Sequence, residues 1–524
     1  MKSPNKTYDF IIIGSGFGGS VSALRLSEKG YKVLVIEKGK EFKANDFPKT
    51  NWNLKRWLWL PLFRFFGFFK LTFFRHITVL SGVGVGGGSL VYANTLPVPK
   101  DDFFEAKSWS HLTDWKTELK PFYELAKRML GVARNPRMDT GDYALREIAK
   151  ELGKEKDFEL TDVAVFFGKP DETVPDPYFN GEGPERSGCK FCGACMIGCR
   201  FNAKNTLDKN YLYFAKKNGA EILSEKEVFD VLPLSKNGEE GYIVKWKSST
   251  KFFKRKGEFK TKGVIFSGGV LGTVPLLLKL KNYSLPNLSE KIGVGIRTNS
   301  ESLLGVTSTE KEAVFSEGIA ISSILHTDEH SHVEPVRYPS GSSFWRIMMA
   351  PALTGDKWYV RLHKIITEIF RNPVKWFKLF FVKDWAKQTQ ILLFMQTLDS
   401  TLRFSRGFLG MKSEMDKGKT PSAFIPEAHS IAKKFAEKVN GTPVALLSET
   451  LMGIPTTAHI LGGACMGKDK EEGVIDKDNK VFSYENMYVC DGSMISANPG
   501  VNPSLTITAL TERAMSKIRV KSEM

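Results

Sequence analysis

Tyr8-Asp9-Phe10-Ile11-Ile12-Ile13-Gly14-Ser15-Gly16-Phe17-Gly18-Gly19 is a short apolar run closed by glycines, and its reading decides the fold. The apolar residues predict a strand buried on both faces. Ser20 to Lys29, with Val21, Leu24 and Leu26 as its apolar positions, predicts a helix, and Tyr31 to Ile36 predicts a second strand ending at Glu37. Strand, glycine turn, helix, strand and terminal acid in that order make a dinucleotide-binding unit. Gly14 makes the tight turn, Gly16 lets backbone approach a pyrophosphate, and Gly19 allows the helix to pack closely on the strand. The helix N-terminus faces the phosphates with free amide donors, and Phe17 and Gly18 join Gly14, Gly16 and Gly19 in the cofactor-binding turn. Glu37 stands where a carboxylate accepts hydrogen bonds from ribose hydroxyls. The unit alone leaves FAD and NAD both open.

Further along, Gly82-Val83-Gly84-Val85-Gly86-Gly87-Gly88-Ser89-Leu90-Val91-Tyr92-Ala93-Asn94 follows the strand-like Ile77 to Leu80. So many glycines without Ser/Pro linker character predict backbone pressed against a ligand. Near the other end come His459-Ile460-Leu461-Gly462-Gly463, then Met487-Tyr488-Val489-Cys490-Asp491-Gly492, then Asn498-Pro499-Gly500-Val501-Asn502-Pro503 before a helix-like Thr508 to Ile518. A short strand ending in Asp-Gly is how a chain returns to complete a nucleotide site begun at its other end.

With Trp115 to Val132 and Val264 to Pro275, these segments resemble the glucose-methanol-choline (GMC) oxidoreductases and, within them, the bacterial cholesterol oxidases. The resemblance implies an α/β chain with noncovalent FAD in a Rossmann-like domain assembled from separated stretches, and a substrate domain on a mixed sheet. The expected division is FAD-binding stretches at 1–110, 200–300 and 456–524, a cysteine-bearing cap at 111–199, and a substrate region at 301–455. Gly88, Tyr92 and Asn94, although Tyr92-Ala93-Asn94 stands where the family usually has a Gly-Gly pair, are the implied flavin contacts, with Val228, Asp491 and Gly492 completing the cofactor set.

Oxidising an alcohol with a flavin requires the hydroxyl proton to be taken while hydride leaves the carbon, so a base or hydrogen-bonding group must stand beside the ring. His459 matches the family's active-site histidine, and glycines next to it would let the loop fit closely against the cofactor. Asn502 matches the second catalytic position, which orients the substrate oxygen. Glu334, in Val333-Glu334-Pro335-Val336-Arg337-Tyr338-Pro339, matches the glutamate that moves a proton on the steroid ring; an ordinary solvated glutamate is the other reading. The upstream His326-Thr327-Asp328-Glu329-His330-Ser331-His332 offers three imidazoles, but flavin chemistry needs no metal and a polar strand end is the expectation. The substrate implied is a sterol or another apolar alcohol, with molecular oxygen or an electron carrier as acceptor. A long-chain fatty alcohol dehydrogenase and a flavin-bearing membrane adaptor without turnover are the rivals.

Cys189, Cys192, Cys195 and Cys199 have a ferredoxin-like spacing with Arg200 where proline is usual. The sulfurs are expected to meet. An iron–sulfur cluster, completed by Cys465 or Cys490, is one reading; zinc or free thiols are the others.

Lys and Arg outnumber Asp and Glu by 75 to 58, a formal charge of +17 that favours anionic partners. With no RNA-binding signature or zinc-finger spacing, lipid is expected and nucleic acid is not. Trp52 to Arg75 holds ten aromatic and five basic side chains and no acid, which predicts contact with an anionic membrane surface. A second such stretch, Lys357 to Lys387, is read as a helix packed on the body. The polar start Met1 to Thr7 runs straight into a strand, so no secretory signal, no transmembrane helix and a cytoplasmic chain are expected.

Overall fold

A computed structural model describes residues 6–355, 357–408, 410–416 and 421–523; most of the polar start, Met1 to Asn5, lies outside the described residues. The opening segment forms the strand Thr7–Ile13, the helix Phe17–Glu28 and the strand Val33–Ile36. The two strands pair in parallel, Phe10 beside Val33 through Ile13 beside Ile36, because the helix carries the chain back to start the second strand in the same direction. Glu221–Leu223 adds in parallel beyond Val33–Ile36, and Lys256–Phe266 adds in parallel on the other side of Thr7–Ile13. Met487–Val489 then pairs in parallel with the end of Lys256–Phe266, so a segment from near the chain's end joins the sheet that its beginning opens. Tyr242–Ser248 and Lys226–Pro233 extend the sheet as an antiparallel ribbon. Phe17–Glu28 is buried along nearly its whole length, packed against the helices Ser504–Ser516 and Tyr211–Lys217.

A second seven-stranded sheet runs in the order Met349–Pro351, Gly441–Leu446, Ser302–Ser308, Thr389–Gln396, Ser331–Val336, Ser323–His326, Phe158–Leu160. The α/β architecture is as expected, but every pair in this sheet is antiparallel where a mixed sheet was anticipated. Parallel neighbours need a crossover connection, and here the chain reaches each neighbour by reversing direction. Phe158–Leu160, from the segment read as a cap, supplies the edge strand.

The period-two alternation of these strands sorts their side chains. Val333, Leu304, Leu392 and Phe394 face a core covered by the helices Thr140–Glu151 and Pro426–Lys438. Val336, Leu393 and Met395 face the opposite way, in the direction of the first sheet. Between the two sheets lies a cavity of about 580 Å³.

Candidate functional site

The nucleotide end of the cavity is shaped by glycines that have no room for a side chain. Gly14 has φ +105°, and a Cβ there would lie 2.3 Å from the Ser267 carbonyl oxygen. A Cβ on Gly18 would come within 1.8 Å of the Cys490 oxygen, and one on Gly19 within 2.1 Å of the Gly14 oxygen. Gly16 differs: a Cβ there would meet nothing nearer than the Gly87 Cα at 4.0 Å, so its surface faces open space. Three glycines therefore bring helix, turn and strand together, and the fourth leaves backbone bare toward the cavity.

Ser15 ties the two glycine clusters to the acid. Its N–H and its hydroxyl donate to Glu37 Oε2 at 3.1 and 2.8 Å, and the Gly86 N–H donates to Ser15 Oγ at 3.1 Å. The other Glu37 oxygen accepts from the Gly39 N–H at 2.8 Å. Val228 lines the cavity beside an irregularity in the Lys226–Pro233 strand, and Gly88, Tyr92, Asp491 and Gly492 line it as well. Asp491 is buried and accepts from the Gly269 N–H and the Thr273 hydroxyl at 2.8 and 2.5 Å. The bare backbone at Gly16, a fixed carboxylate at Glu37 and a cavity running on toward His459 fit a dinucleotide with a flavin head.

Asn94 does not face this cavity. It is fully buried and has φ +74°. A residue adjacent in sequence to Ala93, which lines the cavity, sits on the other side of the same turn, beside Cys195. Gly19 is likewise spent on packing and lines nothing.

His459 follows the short strand Thr456–Thr457, which pairs in parallel with Thr78–Gly82. The neighbouring glycines do not face the cofactor: a Cβ on Gly462 would lie 2.0 Å from the Gly295 oxygen, and one on Gly463 2.5 Å from Ile296. They seat the loop on the 295–297 segment, where Leu461 and Arg297 exchange backbone hydrogen bonds at 2.9 and 2.8 Å. His459 is thereby held with Nδ1 3.0 Å from Glu301 Oε1, and its Nε2 is 3.5 Å from Asn502 Nδ2. Donation from Nδ1 to the carboxylate leaves Nε2 as an acceptor facing the cavity. Asn502 keeps a buried Oδ1 with no partner, also at the cavity wall.

Glu301 was not anticipated from the sequence. It stands 158 residues before His459, at the start of the Ser302–Ser308 strand, fully buried, and also accepts from the Thr457 hydroxyl at 2.6 Å and the Ala458 N–H at 3.1 Å. Burial disfavours its charged form, but the facing imidazole and these hydrogen bonds outweigh that and hold its carboxyl below the usual range. Burial likewise pushes the His459 imidazole down, and the charge of Glu301, its hydrogen bond and the more distant charge of Glu334 outweigh it, leaving the imidazole above its ordinary value. Next to the pair, Glu449 is buried with one oxygen unpartnered, and burial pushes its carboxyl up to about 8.

Glu334 is fully buried and is not a solvated side chain. It pairs across the sheet with Leu393, which lines the cavity, and both its oxygens lack a partner. The cavity on this side of the sheet is apolar, walled by Phe69, Trp345, Met349, Leu446, Leu303 and Ile321.

The four clustered cysteines line a separate small cavity with Lys204, and no disulfide joins them. They do not fit a metal centre: among the described residues no group of three or more His, Cys, Asp or Glu side chains is placed to hold an ion. Neither reserve ligand comes to their aid, since Cys465 accepts from Arg297 and Cys490 is buried under Gly18. The polar work in that loop is done by Lys204, which donates to the carbonyls of Leu90, Tyr92 and Cys195 at 3.1, 3.0 and 2.8 Å and straps the cysteine loop to the second glycine cluster. Burial disfavours thiolate, pushing Cys192 up to about 11.

Comparison with known proteins agrees with this arrangement. The GMC oxidoreductase family matches residues 184–281 and 399–511, and an NAD(P)-binding Rossmann-like domain matches residues 12–45. A cholesterol oxidase of Acinetobacter baumannii is 45% identical over 529 residues, covering 99% of this chain and 95% of that protein. A cholesterol oxidase of Mycobacterium tuberculosis is 40% identical over 527 residues, covering 97% and 90%. The structure of pyridoxine 4-oxidase from Mesorbium loti superposes with a TM-score of 0.63 at 15% identity over 97% of this chain and 98% of that one, which shows a shared fold. The chain therefore belongs to the GMC oxidoreductase family and is an FAD-dependent oxidoreductase acting on alcohol groups.

Proposed function

We propose that the alcohol is the 3-hydroxyl of a sterol, that molecular oxygen is the electron acceptor, and that Glu334 afterwards shifts a ring double bond. The observation that carries this reading is the long apolar wall of the cavity beyond His459, with the buried carboxylate of Glu334, whose oxygens have no hydrogen-bond partner, on the strand beside the lining residue Leu393. A straight-chain alcohol needs the wall but has no use for the carboxylate. The names of the two relatives point the same way, to cholesterol and to oxidase chemistry.

FAD, when bound, supplies the hydride acceptor. His459 Nε2 takes the hydroxyl proton, with Glu301 holding the imidazole in the tautomer that leaves Nε2 free and stabilising its charged form. Asn502 holds the substrate oxygen in line. The Gly14, Gly16 and Gly18 turn, Glu37, Gly88, Tyr92, Val228, Asp491 and Gly492 hold the cofactor. Glu334 removes a proton from the ring carbon between the new carbonyl and the double bond and returns one at the double bond's far end, which conjugates the two.

Visible spectroscopy tests the substrate: the flavin band should bleach on anaerobic addition of cholesterol and not of a long-chain fatty alcohol, and peroxide should form in air. Bleaching by the fatty alcohol alone would replace the sterol reading with its rival.

A membrane surface as the place where substrate is collected is supported by the exposed aromatic side chains. The aromatic stretch at 52–75 is divided: Trp57, Trp59, Phe68 and Phe69 are buried in a core, and Leu62, Phe63 and Phe73 are exposed. The later stretch is more exposed than anticipated. Its helices, Trp358–Arg371 and Pro373–Phe380, bury few residues and present Phe370 and Phe377 at 79% and 65% exposure among basic side chains. They pack on Met349, which lines the cavity. No helix among the described residues is long and apolar enough to cross a membrane, so contact would be with the surface.

A further inference from the structure

We infer that the hairpin Ser323–His326 and Ser331–Val336 carries a proton path from Glu334 to solvent through His332 and His326, ending at Glu159. This rests on Glu334 being the base that moves a ring proton.

Alternation along Ser331–Val336 places His332 on the same face as Glu334. Its Nε2 stands 3.7 Å from Glu334 Oε1. His332 and His326 are directly opposite each other across the hairpin, with ring centroids 5.7 Å apart. His326 Nε2 is 3.9 Å from Glu159 Oε1 on the edge strand Phe158–Leu160. Side-chain exposure rises step by step along this row: 0% for Glu334, 4% for His332, 25% for His326 and 48% for Glu159.

The row is also where hydrogen bonding is left incomplete. Both Glu334 oxygens, His332 Nε2 and His326 Nδ1 are buried without a partner. Buried polar atoms are nearly always satisfied, and a file of unsatisfied ones leading outward from a carboxylate calls for an explanation beyond packing. Separations of 3.7 and 3.9 Å exceed a hydrogen bond only slightly, so a small side-chain movement closes each contact.

An imidazole passes a proton by accepting at one ring nitrogen and releasing from the other, provided it does not trap the charge. His326 meets that condition: burial, then the neighbouring His332 and Lys100, hold it down to about 4 against the opposing pull of Glu159 and Asp157. The exchange is balanced, since a proton held on Glu334 leaves along the row and a solvent proton returns by the same route. Its consequence is that the proton delivered to the far carbon need not be the one removed.

The test is to run the purified holoenzyme on cholesterol in D2O and locate deuterium in the conjugated product by NMR at early times. Wild type should carry solvent deuterium at the carbon that receives the proton. His332→Phe should isomerise with severalfold less label there, and His326→Phe, a less buried position, should show the same direction if the first variant fails to fold. A purely structural role for these histidines would alter rates without altering the label. Full labelling in a folded His332→Phe or His326→Phe that still isomerises would overturn the path. Glu334→Gln separates this from the reading beneath it: the unconjugated ketone should accumulate, and undiminished conjugation in that variant would remove Glu334 as the base and the path with it.

Discussion

The two ends of the cavity are built on different terms. At the nucleotide end, residues close in sequence do the work, with Gly14, Ser15, Gly16 and Gly18 in one turn and Glu37 at the end of the next strand. At the substrate end, His459 meets Glu301 across 158 positions, and Glu334 comes from a third segment, across the sheet from the lining residue Leu393. A local motif is intolerant of volume, because backbone meets backbone. A dispersed one is intolerant of lost chemistry, because the polar groups that hold one another come from separate segments and no neighbour in sequence can replace them.

That contrast can be broken experimentally, starting with the largest effect. Gly18→Val should leave the purified protein colourless, since its side chain would begin 1.8 Å from the Cys490 oxygen and push a strand off the helix; a yellow protein with a full flavin content would refute the packing argument. His459→Ala should retain the flavin spectrum and lose about 10²- to 10⁴-fold in kcat, the usual contribution of a positioned acid or base. If it instead loses flavin, the two ends are not separable.

Glu301→Gln should cost less and move the pH profile. A base must be neutral to accept the hydroxyl proton, and Glu301 holds the His459 imidazole above its ordinary value. Activity in the wild type therefore rises with pH through that raised value, and removing the carboxylate charge should shift this acidic limb of kcat/KM to lower pH. An unmoved limb would assign it to another group. The smallest effect is expected from Phe370→Ser with Phe377→Ser, which should weaken sedimentation with anionic vesicles while leaving turnover of detergent-dispersed cholesterol near wild type. Equal sedimentation of variant and wild type would sever the exposed aromatics from lipid binding.

Legibility followed the same divide. Motif reading placed Gly16, Glu37, Gly88, Val228, His459 and Asn502 around one cavity, but it also put Asn94 there, where a left-handed turn sends the side chain to the cysteine loop. It took the glycines after His459 as clearance for the cofactor, whereas they seat the loop on Gly295. The cysteine spacing leaves an iron–sulfur cluster, zinc and free thiols open; a spacing brings sulfurs into one neighbourhood without fixing where they point, and here a buried lysine organises the loop. His332 looked like part of a polar strand end and is buried beside Glu334.

Sequence alone determined the βαβ opening, the glycine turns and the return of the chain at Asp491, because these depend on φ angles, side-chain volume and apolar runs that neighbouring residues set among themselves. Only the tertiary structure decided that Glu301 holds His459, that Glu334 is buried without a partner, and which aromatic side chains are covered. Those are properties of side chains far apart in the chain, and a carboxylate or a phenylalanine carries no local mark of whether another segment will pack against it.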